Sequence, residues 1–114
     1  MPSQRIRQIN TALRDYMATA IMRNVELPPG AVVSVTKVHT TADLHHAQVF
    51  LSIVPDNLAG STLQIIKQHI HAIVSDVVDH ITFRLVPQFH FKLDDTERKA
   101  TQIEALLDSL KKSS

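Results

Sequence analysis

Histidine is the residue type in this sequence best suited to metal chemistry, and the chain contains seven. His69 and His71 lie two residues apart in a stretch with helical periodicity, which places their rings about 200° apart around a helix. His45 and His46 are adjacent in a predicted hairpin and also diverge. No His-x3-His pair and no H-E-x-x-H motif is present. The spacing therefore predicts no metal site, and only the number of histidines favours a small metal-dependent enzyme.

Other catalytic groups have less support in the sequence. The chain contains no cysteine, which excludes thiolate metal sites and a disulfide framework. Gly30 and Gly60 are too far apart to form a glycine-rich phosphate-binding loop. Asp94 and Asp95 are paired carboxylates, but they precede a predicted helix, where capping and the helix dipole account for them. We therefore predict no catalytic residue, no cofactor and a protein that is not an enzyme.

Positive charges are concentrated near the N-terminus, although the formal net charge is only +1. Arg5, Arg7, Arg14 and Arg23 share the first helical segment with a single acidic residue, Asp15. Acidic residues gather towards the C-terminus: Asp94, Asp95, Glu97, Glu104 and Asp108. The basic segment is interpreted either as a solvated helix face or as a patch that faces phosphates.

The first half of the chain is predicted to form one helix and two strands. Ser3 is a plausible N-cap of the helix, and Pro28 and Pro29 end it because a proline pair removes two donors. β-Branched residues predict strand one at residues 31–40, and alternation predicts strand two at residues 46–54. The apolar stripe of the helix is Ile6, Ile9, Leu13, Tyr16, Met17 and Ala20. The polar segment between the two strands indicates an antiparallel hairpin.

Residues 61–93 change their apolar period from that of a helix to that of a strand. Steps of three and four predict a central helix, with room for a kink, for which Ser61 is a plausible N-cap. From Thr82 the period is two and predicts strand three, in which Pro87 indicates an edge strand or a bulge. A last helix is capped within residues 94–96. The stripe of the central helix is Leu63, Ile66, Ile70, Ile73, Val77 and Ile81.

Together these elements predict one α+β domain in the order α-β-β-α-β-α. Its core lies at about residues 3–93, with a C-terminal helix at about residues 95–112 of a chain of 114. The central helix packs back on the sheet that strand three joins. Met1 is not followed by an apolar segment, and no apolar run reaches the length of a membrane span. We therefore expect a cytoplasmic protein.

Several segments, spread over nearly the whole chain, match the motifs of one known family. In chain order they are residues 2–6 (PSQRI), 35–39 (VTKVH), 42–51 (ADLHHAQVFL), 84–91 (RLVPQFHF), 94–96 (DDT) and 103–107 (IEALL). The second and third form a hairpin in which a turn leads to D-L-x-x-A-x-V-ϕ, and the fourth matches a strand R-ϕ-V-P-x-ϕ-x-F. By these motifs the chain resembles the ribosome-binding factor A family.

The resemblance implies a type II KH-like domain, an RNA-binding fold with helices packed on one face of a three-stranded sheet. It also implies an assembly factor that binds the small (30S) ribosomal subunit and its 16S rRNA during late maturation and supports 16S rRNA processing. Ribosomal proteins are further expected partners. We expect a monomer that does not associate with a membrane.

The RNA-binding residues that we predict are Arg5, Arg7, Arg14, Lys67, His69, His71 and Arg84. Residues 69–71 (HIH) stand where the family has the Ala-x-Gly motif of a helix-kink-helix, and the larger side chains predict a less sharp kink. His69 is alternatively interpreted as a partly buried packing residue, and Tyr16 is expected in the core. The modest charge and the substituted motif favour the alternative function, a KH-like protein-interaction module without RNA binding.

Overall fold

The computed structural model describes residues 4–81 and 86–112, and these form the predicted mixture of helices and strands in the predicted order. The central helix is divided into two pieces. The elements are α1 (Gln4–Asn24), β1 (Val32–Thr40), β2 (His46–Val54), α2 (Asp56–Gln68), α3 (Ile70–Val78), β3 (Gln88–Leu93) and α4 (Thr96–Lys112).

The three strands form one sheet in the order β1-β2-β3. β1 and β2 pair antiparallel, as expected for the hairpin, and β2 and β3 pair parallel. A parallel pair needs a long crossover connection, which α2 and α3 supply. β3 is an edge strand, as predicted, but Pro87 precedes the strand and does not lie within it.

The core lies between the sheet and the helices α1, α2 and α3. Alternation along β2 points every second side chain inward, and Ala47, Val49 and Leu51 are fully buried. The remaining buried apolar residues are Ile9, Leu13, Met17, Ala20, Ile21, Val25, Val38, Ile53, Ala59, Ile66, Ile73, Val77, Phe89 and Phe91. The helices therefore cover one face of the sheet and leave the other face open. Within the described residues, no helix combines the length and the apolar content that crossing a membrane requires.

Two predicted element boundaries differ from the structure. The central helix begins at Asp56 rather than at Ser61, because Pro55 supplies a fixed backbone angle just before the first turn and the Asp56 carboxylate suits the helix N-terminus. β3 begins at Gln88, directly after Pro87, because proline has no N–H for the ladder. The predicted strand residues 82–85 lie outside the described residues.

The prediction that Tyr16 lies in the core is wrong, since this residue is 39% exposed. Its ring lies 5.7 Å from the ring of His80, beyond the C-terminus of α3. Tyr16 precedes the fully buried Met17 by one position, so it lies at the edge of the apolar stripe, where the helices no longer cover it.

Asp94 connects the sheet to the last helix. The Thr36 hydroxyl donates to Asp94 Oδ2 at 2.6 Å, and the Thr96 amide donates to Asp94 Oδ1 at 3.0 Å. The register between β1 and β2 shifts at Thr36, and this irregularity places the hydroxyl within reach of Asp94. The Thr36 and Thr96 hydrogen bonds, with a smaller contribution from the Lys37 charge, lower the pKa of Asp94 from 3.8 to about 2.

The lowered pKa of Asp94 gives a prediction about acid stability. A carboxylate whose pKa is lower in the folded state contributes stability above its unfolded pKa and loses it as the pH falls through the folded value. The free energy of unfolding of the wild type relative to Asp94→Asn should therefore decrease as the pH falls from about 4 to about 2. Urea denaturation across this range measures the difference. Asp108→Asn, on the exposed surface of α4, is the control, and a difference for Asp94→Asn that does not change with pH would contradict the assignment.

Candidate nucleic-acid interface

The predicted arginines of α1 lie on the exposed side of the helix. Arg5, Arg7 and Arg14 are all exposed. Arg14 Nε lies 3.5 Å from an Asp15 carboxylate oxygen, so part of its charge is already paired. Among the residues that the structure describes, Arg5 and Arg7 form no ion pair. These two guanidinium groups are therefore the α1 cations best placed to bind phosphates.

The central helix is interrupted at His69, between α2 and α3. His69 has φ −102° and ψ 17°, outside the helical region, and its amide donates to the Ile66 carbonyl at 3.0 Å. The Ile65 carbonyl, which the regular helix would pair with this amide, is instead 2.8 Å from His69 Nδ1. The imidazole thus replaces the backbone donor that the interruption removes. The kink for which the sequence left room is therefore present in the central helix, at His69.

The hydrogen bond to Ile65 determines which nitrogen of His69 carries a proton. A carbonyl oxygen can only accept, so Nδ1 donates and the neutral ring presents Nε2 as an acceptor. His69 is exposed, so its interpretation as a partly buried packing residue is wrong. The ring is exposed to solvent because the backbone leaves the helical conformation at this residue. The exposed Nε2 can accept from a ribose hydroxyl and, in the protonated ring, donate to a phosphate.

Lys67, His69 and His71 form one exposed group, which we call the kink group. Lys67 is in the last turn of α2, and His71 is in the first turn of α3. All three side chains are exposed, and the three residues lie within five positions of one another at the junction of α2 and α3.

The structure does not bring the kink group together with the N-terminal arginines. Asp76 of α3 contacts Arg23 near the end of α1, whereas His80 contacts Tyr16 earlier in α1, so the two helices run antiparallel. The kink group precedes Asp76 and therefore lies beyond the C-terminal end of α1. Arg5 lies about 27 Å along α1 from Arg23, at a rise of 1.5 Å per residue. The predicted residues thus occupy two separate regions, and Arg84 lies outside the described residues.

Reasoning from the sequence missed a second group of polar side chains, on the open face of the sheet. His46 Nδ1 of β2 lies 3.1 Å from His90 Nε2 of β3, and their ring centroids are 5.3 Å apart. Alternation alone assigned His90 to the polar side of its strand. The parallel register between β2 and β3, which brings it next to His46, was not visible in the sequence. Across residues 4–81 and 86–112, no cluster of three or more His, Asp or Glu side chains has a metal-binding arrangement.

Comparison with known protein families identifies the chain. The family model "Ribosome-binding factor A" matches residues 5–107, which include parts or all of every helix and strand described above. The chain belongs to the ribosome-binding factor A family. Ribosome-binding factor A of Thermomicrobium roseum is 35% identical over 108 residues, covering 94% of this chain and 84% of the relative. Ribosome-binding factor A of Chlamydia caviae is 31% identical and covers 92% of this chain and 90% of the relative.

Solved structures show the same fold for members of this family. The crystal structure of ribosome-binding factor A from Thermus thermophilus matches with a TM-score of 0.65 and 13% identity, over 77% of this chain and 94% of that one. A solution NMR structure of a putative ribosome binding factor A from Thermotoga maritima matches with a TM-score of 0.67 and 16% identity, over 81% and 89% of the two chains. The α+β architecture predicted from the sequence is therefore confirmed.

The contact between α1 and α3, which positions the kink group relative to α1, depends on Asp76. Arg23 Nη1 donates to Asp76 Oδ1 at 3.2 Å, and Asn24 Nδ2 donates to Asp76 Oδ2 at 2.8 Å. The Asp76 side chain is only 15% exposed, so these partners cannot be fully replaced by water.

We predict that Asp76→Ala lowers the free energy of unfolding by about 1–3 kcal/mol, because it removes the acceptor that Arg23 and Asn24 share and leaves the part-buried Asn24 amide with only the Ala20 carbonyl as a partner. Asp79→Ala removes an exposed carboxylate from the same region and should change stability by less than about 0.5 kcal/mol. Urea denaturation of both variants measures the two values. Equal effects for Asp76 and Asp79 would contradict the proposed role of this contact.

Proposed function

We propose that this protein is a ribosome assembly factor that binds the small (30S) ribosomal subunit and its 16S rRNA during late maturation and supports 16S rRNA processing. In this proposal it acts in the cytoplasm as a monomer, by binding rather than by catalysis. The observation that carries the proposal is the match of residues 5–107 to the ribosome-binding factor A family, since the family is named for ribosome binding.

Exposed cations on the helices support binding to RNA phosphates. Arg5 and Arg7 offer planar guanidinium groups that bind a phosphate through two parallel hydrogen bonds. Lys67 and His71 lie on either side of the interruption at His69 and add exposed donors for phosphate oxygens. Such contacts fix position and affinity without reading the base sequence. In this proposal, specificity comes from the shape of the RNA and from neighbouring ribosomal proteins.

The separation of the two cationic regions is compatible with binding to a large RNA. Arg5 and Arg7 lie near one end of α1, and the kink group lies beyond the other end. A single phosphate could not contact both regions, but the folded RNA of a ribosomal subunit presents many phosphates over such distances. Arg14 is assigned a smaller role because Asp15 competes for its charge. Arg84, which lies outside the described residues, is also proposed to bind RNA, as the family motif in its segment implies.

A second candidate function is that of a KH-like module that binds protein and has lost RNA binding. The observation that favours it is an apolar stripe on α4 whose members are between 52% and 62% exposed: Ile103, Leu106, Leu107 and Leu110. Exposed apolar side chains in a row are typical of protein-docking surfaces. The formal net charge of +1 also favours this candidate, because it is low for a protein that binds nucleic acid.

Co-sedimentation with immature and mature small ribosomal subunits across a salt series tests the proposal. We predict binding that weakens steeply as salt increases, because each phosphate contact releases counterions. Arg5→Ala/Arg7→Ala and Lys67→Ala/His71→Ala should each weaken binding about tenfold and reduce the slope of log affinity against log salt by about 1–2.

Lys111→Ala/Lys112→Ala is the charge-matched control, since it removes two positive charges at the end of α4 and outside both regions. It should leave both the affinity and the salt slope close to those of the wild type. Binding that does not depend on salt would favour the protein-interaction module. An absence of binding to either form of the subunit at every salt concentration would overturn the proposal.

A further inference from the structure

The open face of the sheet carries a regular array of basic and aromatic side chains. The strand register aligns them in rows across the three strands: Lys37–Phe50–Lys92, then His39–Gln48–His90, then His46–Gln88. Rows whose residues are two positions apart along a strand are separated by about 6.6 Å. Inward residues alternate with these and are buried or half-buried, so the array faces away from the helices. We call it the outer array.

A surface depression lies within the outer array. It is lined by His39, Thr41, His46, Gln48, His90 and Lys92. Every one of these side chains can donate a hydrogen bond, and none is a carboxylate. The sheet therefore presents a concave surface of donors, one of which carries a permanent positive charge, and this chemistry complements an anion.

Lys37 extends the positive charge beyond the depression. Its Nζ lies 4.7 Å from the centroid of the Phe50 ring, which holds the ammonium group above the middle of the sheet. Phe50 is paired with Lys37 on one side and with Lys92 on the other. Two lysines therefore lie on opposite edge strands of the same row. A polyanion that crosses the sheet can contact both.

The contact between His46 and His90 has a chemical consequence. At 3.1 Å between Nδ1 of His46 and Nε2 of His90, one ring donates an N–H and the other must accept with a lone pair. If both nitrogens carried protons, the two N–H groups would oppose each other, unless an anion accepted from both. A phosphate oxygen is such an acceptor. Binding of a phosphate and protonation of the pair should therefore favour each other.

The charged and titratable groups around this pair are of both signs, but the side chains that line the depression are cationic or neutral donors. Lys92 and His39 face the pair from the two edge strands. Asp43, in the turn between β1 and β2, accepts from the Thr41 hydroxyl at 2.6 Å and from the His45 amide at 3.0 Å. These hydrogen bonds, first that from Thr41, lower the pKa of Asp43, with smaller contributions from the charges of His45 and His46, and its carboxylate does not line the depression.

We propose that the outer array is a second RNA-binding surface, which binds backbone phosphates of a single-stranded RNA segment on the side of the domain opposite the helices. The proposal rests on the proposed function, and it adds that this protein lies between two RNA elements rather than against one. The positive charge of Lys92 disfavours a metal cation here, because like charges repel, and it favours a phosphate, which is an anion.

An NMR titration with an oligouridylate of about eight nucleotides tests the surface directly. We expect shifts of the His39, His46 and His90 ring signals and of the Lys37 and Lys92 amides. The affinity should be higher at pH 6 than at pH 8, because a phosphate that accepts from both rings favours the form in which both facing nitrogens carry protons, and lower pH favours the same form. His46→Gln/His90→Gln should weaken binding about tenfold and remove most of the pH dependence, and Lys92→Gln should weaken it at both pH values.

His45→Gln is the matched control, because His45 is adjacent to His46 but pairs with Asp43 and does not line the depression. It should bind like the wild type. Amide spectra of each variant confirm that the sheet remains folded, and Lys92→Gln tests the surface even if the double histidine variant unfolds. Shifts confined to the kink group, no binding of the oligonucleotide, or equal losses for His45→Gln and His46→Gln/His90→Gln would overturn the inference.

Co-sedimentation of the same variants separates this inference from the proposed function. If the wild type binds small subunits and the variants of the outer array bind equally well, the inference fails and the assembly-factor proposal stands. If the wild type binds no subunit, the proposed function fails whatever the oligonucleotide does. Weaker and less salt-dependent subunit binding by Lys92→Gln supports both.

Discussion

The parallel pairing of β2 with β3 is the constraint on which the rest of the structure depends. A parallel pair cannot be closed by a tight turn, so the chain must cross over one face of the sheet, and α2 and α3 form that crossover. The apolar stripe of these two helices packs on the sheet, and its residues Ile66, Ile73 and Val77 are fully buried. The same crossover leaves the opposite face of the sheet open. One connection therefore accounts for the core, for the position of the kink group and for the exposure of the outer array.

The interruption at His69 shows how a helix can be broken at a residue that is neither glycine nor proline. A kink removes a regular backbone hydrogen bond and leaves a carbonyl oxygen without a partner. Here the imidazole of His69 reaches back one turn and donates to the Ile65 carbonyl, which offsets the loss. A small residue at this position has no side chain that could do so. The interruption therefore does not require glycine, and it exposes a polar ring at the place where the chain turns.

Binding of this domain to RNA phosphates depends on its local charges rather than on its net charge. The formal charge of +1 is low because 11 aspartates and glutamates, distributed along the chain, offset 12 arginines and lysines. In the structure, Asp94 is engaged with Thr36 and Thr96, and Asp76 with Arg23 and Asn24. These carboxylates hold elements together: Asp76 pairs with Arg23, and Asp94 lies near enough to Lys37 for the two charges to interact. Neither of them forms an ion pair with Arg5, Arg7 or the kink group among the described residues. Phosphate binding depends on such local groups, since screening by salt limits the reach of distant charges to about 8–10 Å.

The sequence alone predicted the order of the elements, the two-residue period of β2 and β3, and the absence of a glycine-rich loop or a thiolate site. Those conclusions follow from short-range periodicity and composition, which depend on the geometry of a single helix or strand and on the residue types present. Its family motifs also identified the family correctly. The start of α2 at Asp56 was missed because Gly60 and Ser61 give the same signals in a turn and in the second turn of a helix. Only the tertiary structure separated Arg5 and Arg7 from the kink group and brought His46 next to His90. Periodicity shows which way a side chain points along its own strand or helix, whereas the register between strands and the direction of packed helices are set by contacts between residues distant in the chain.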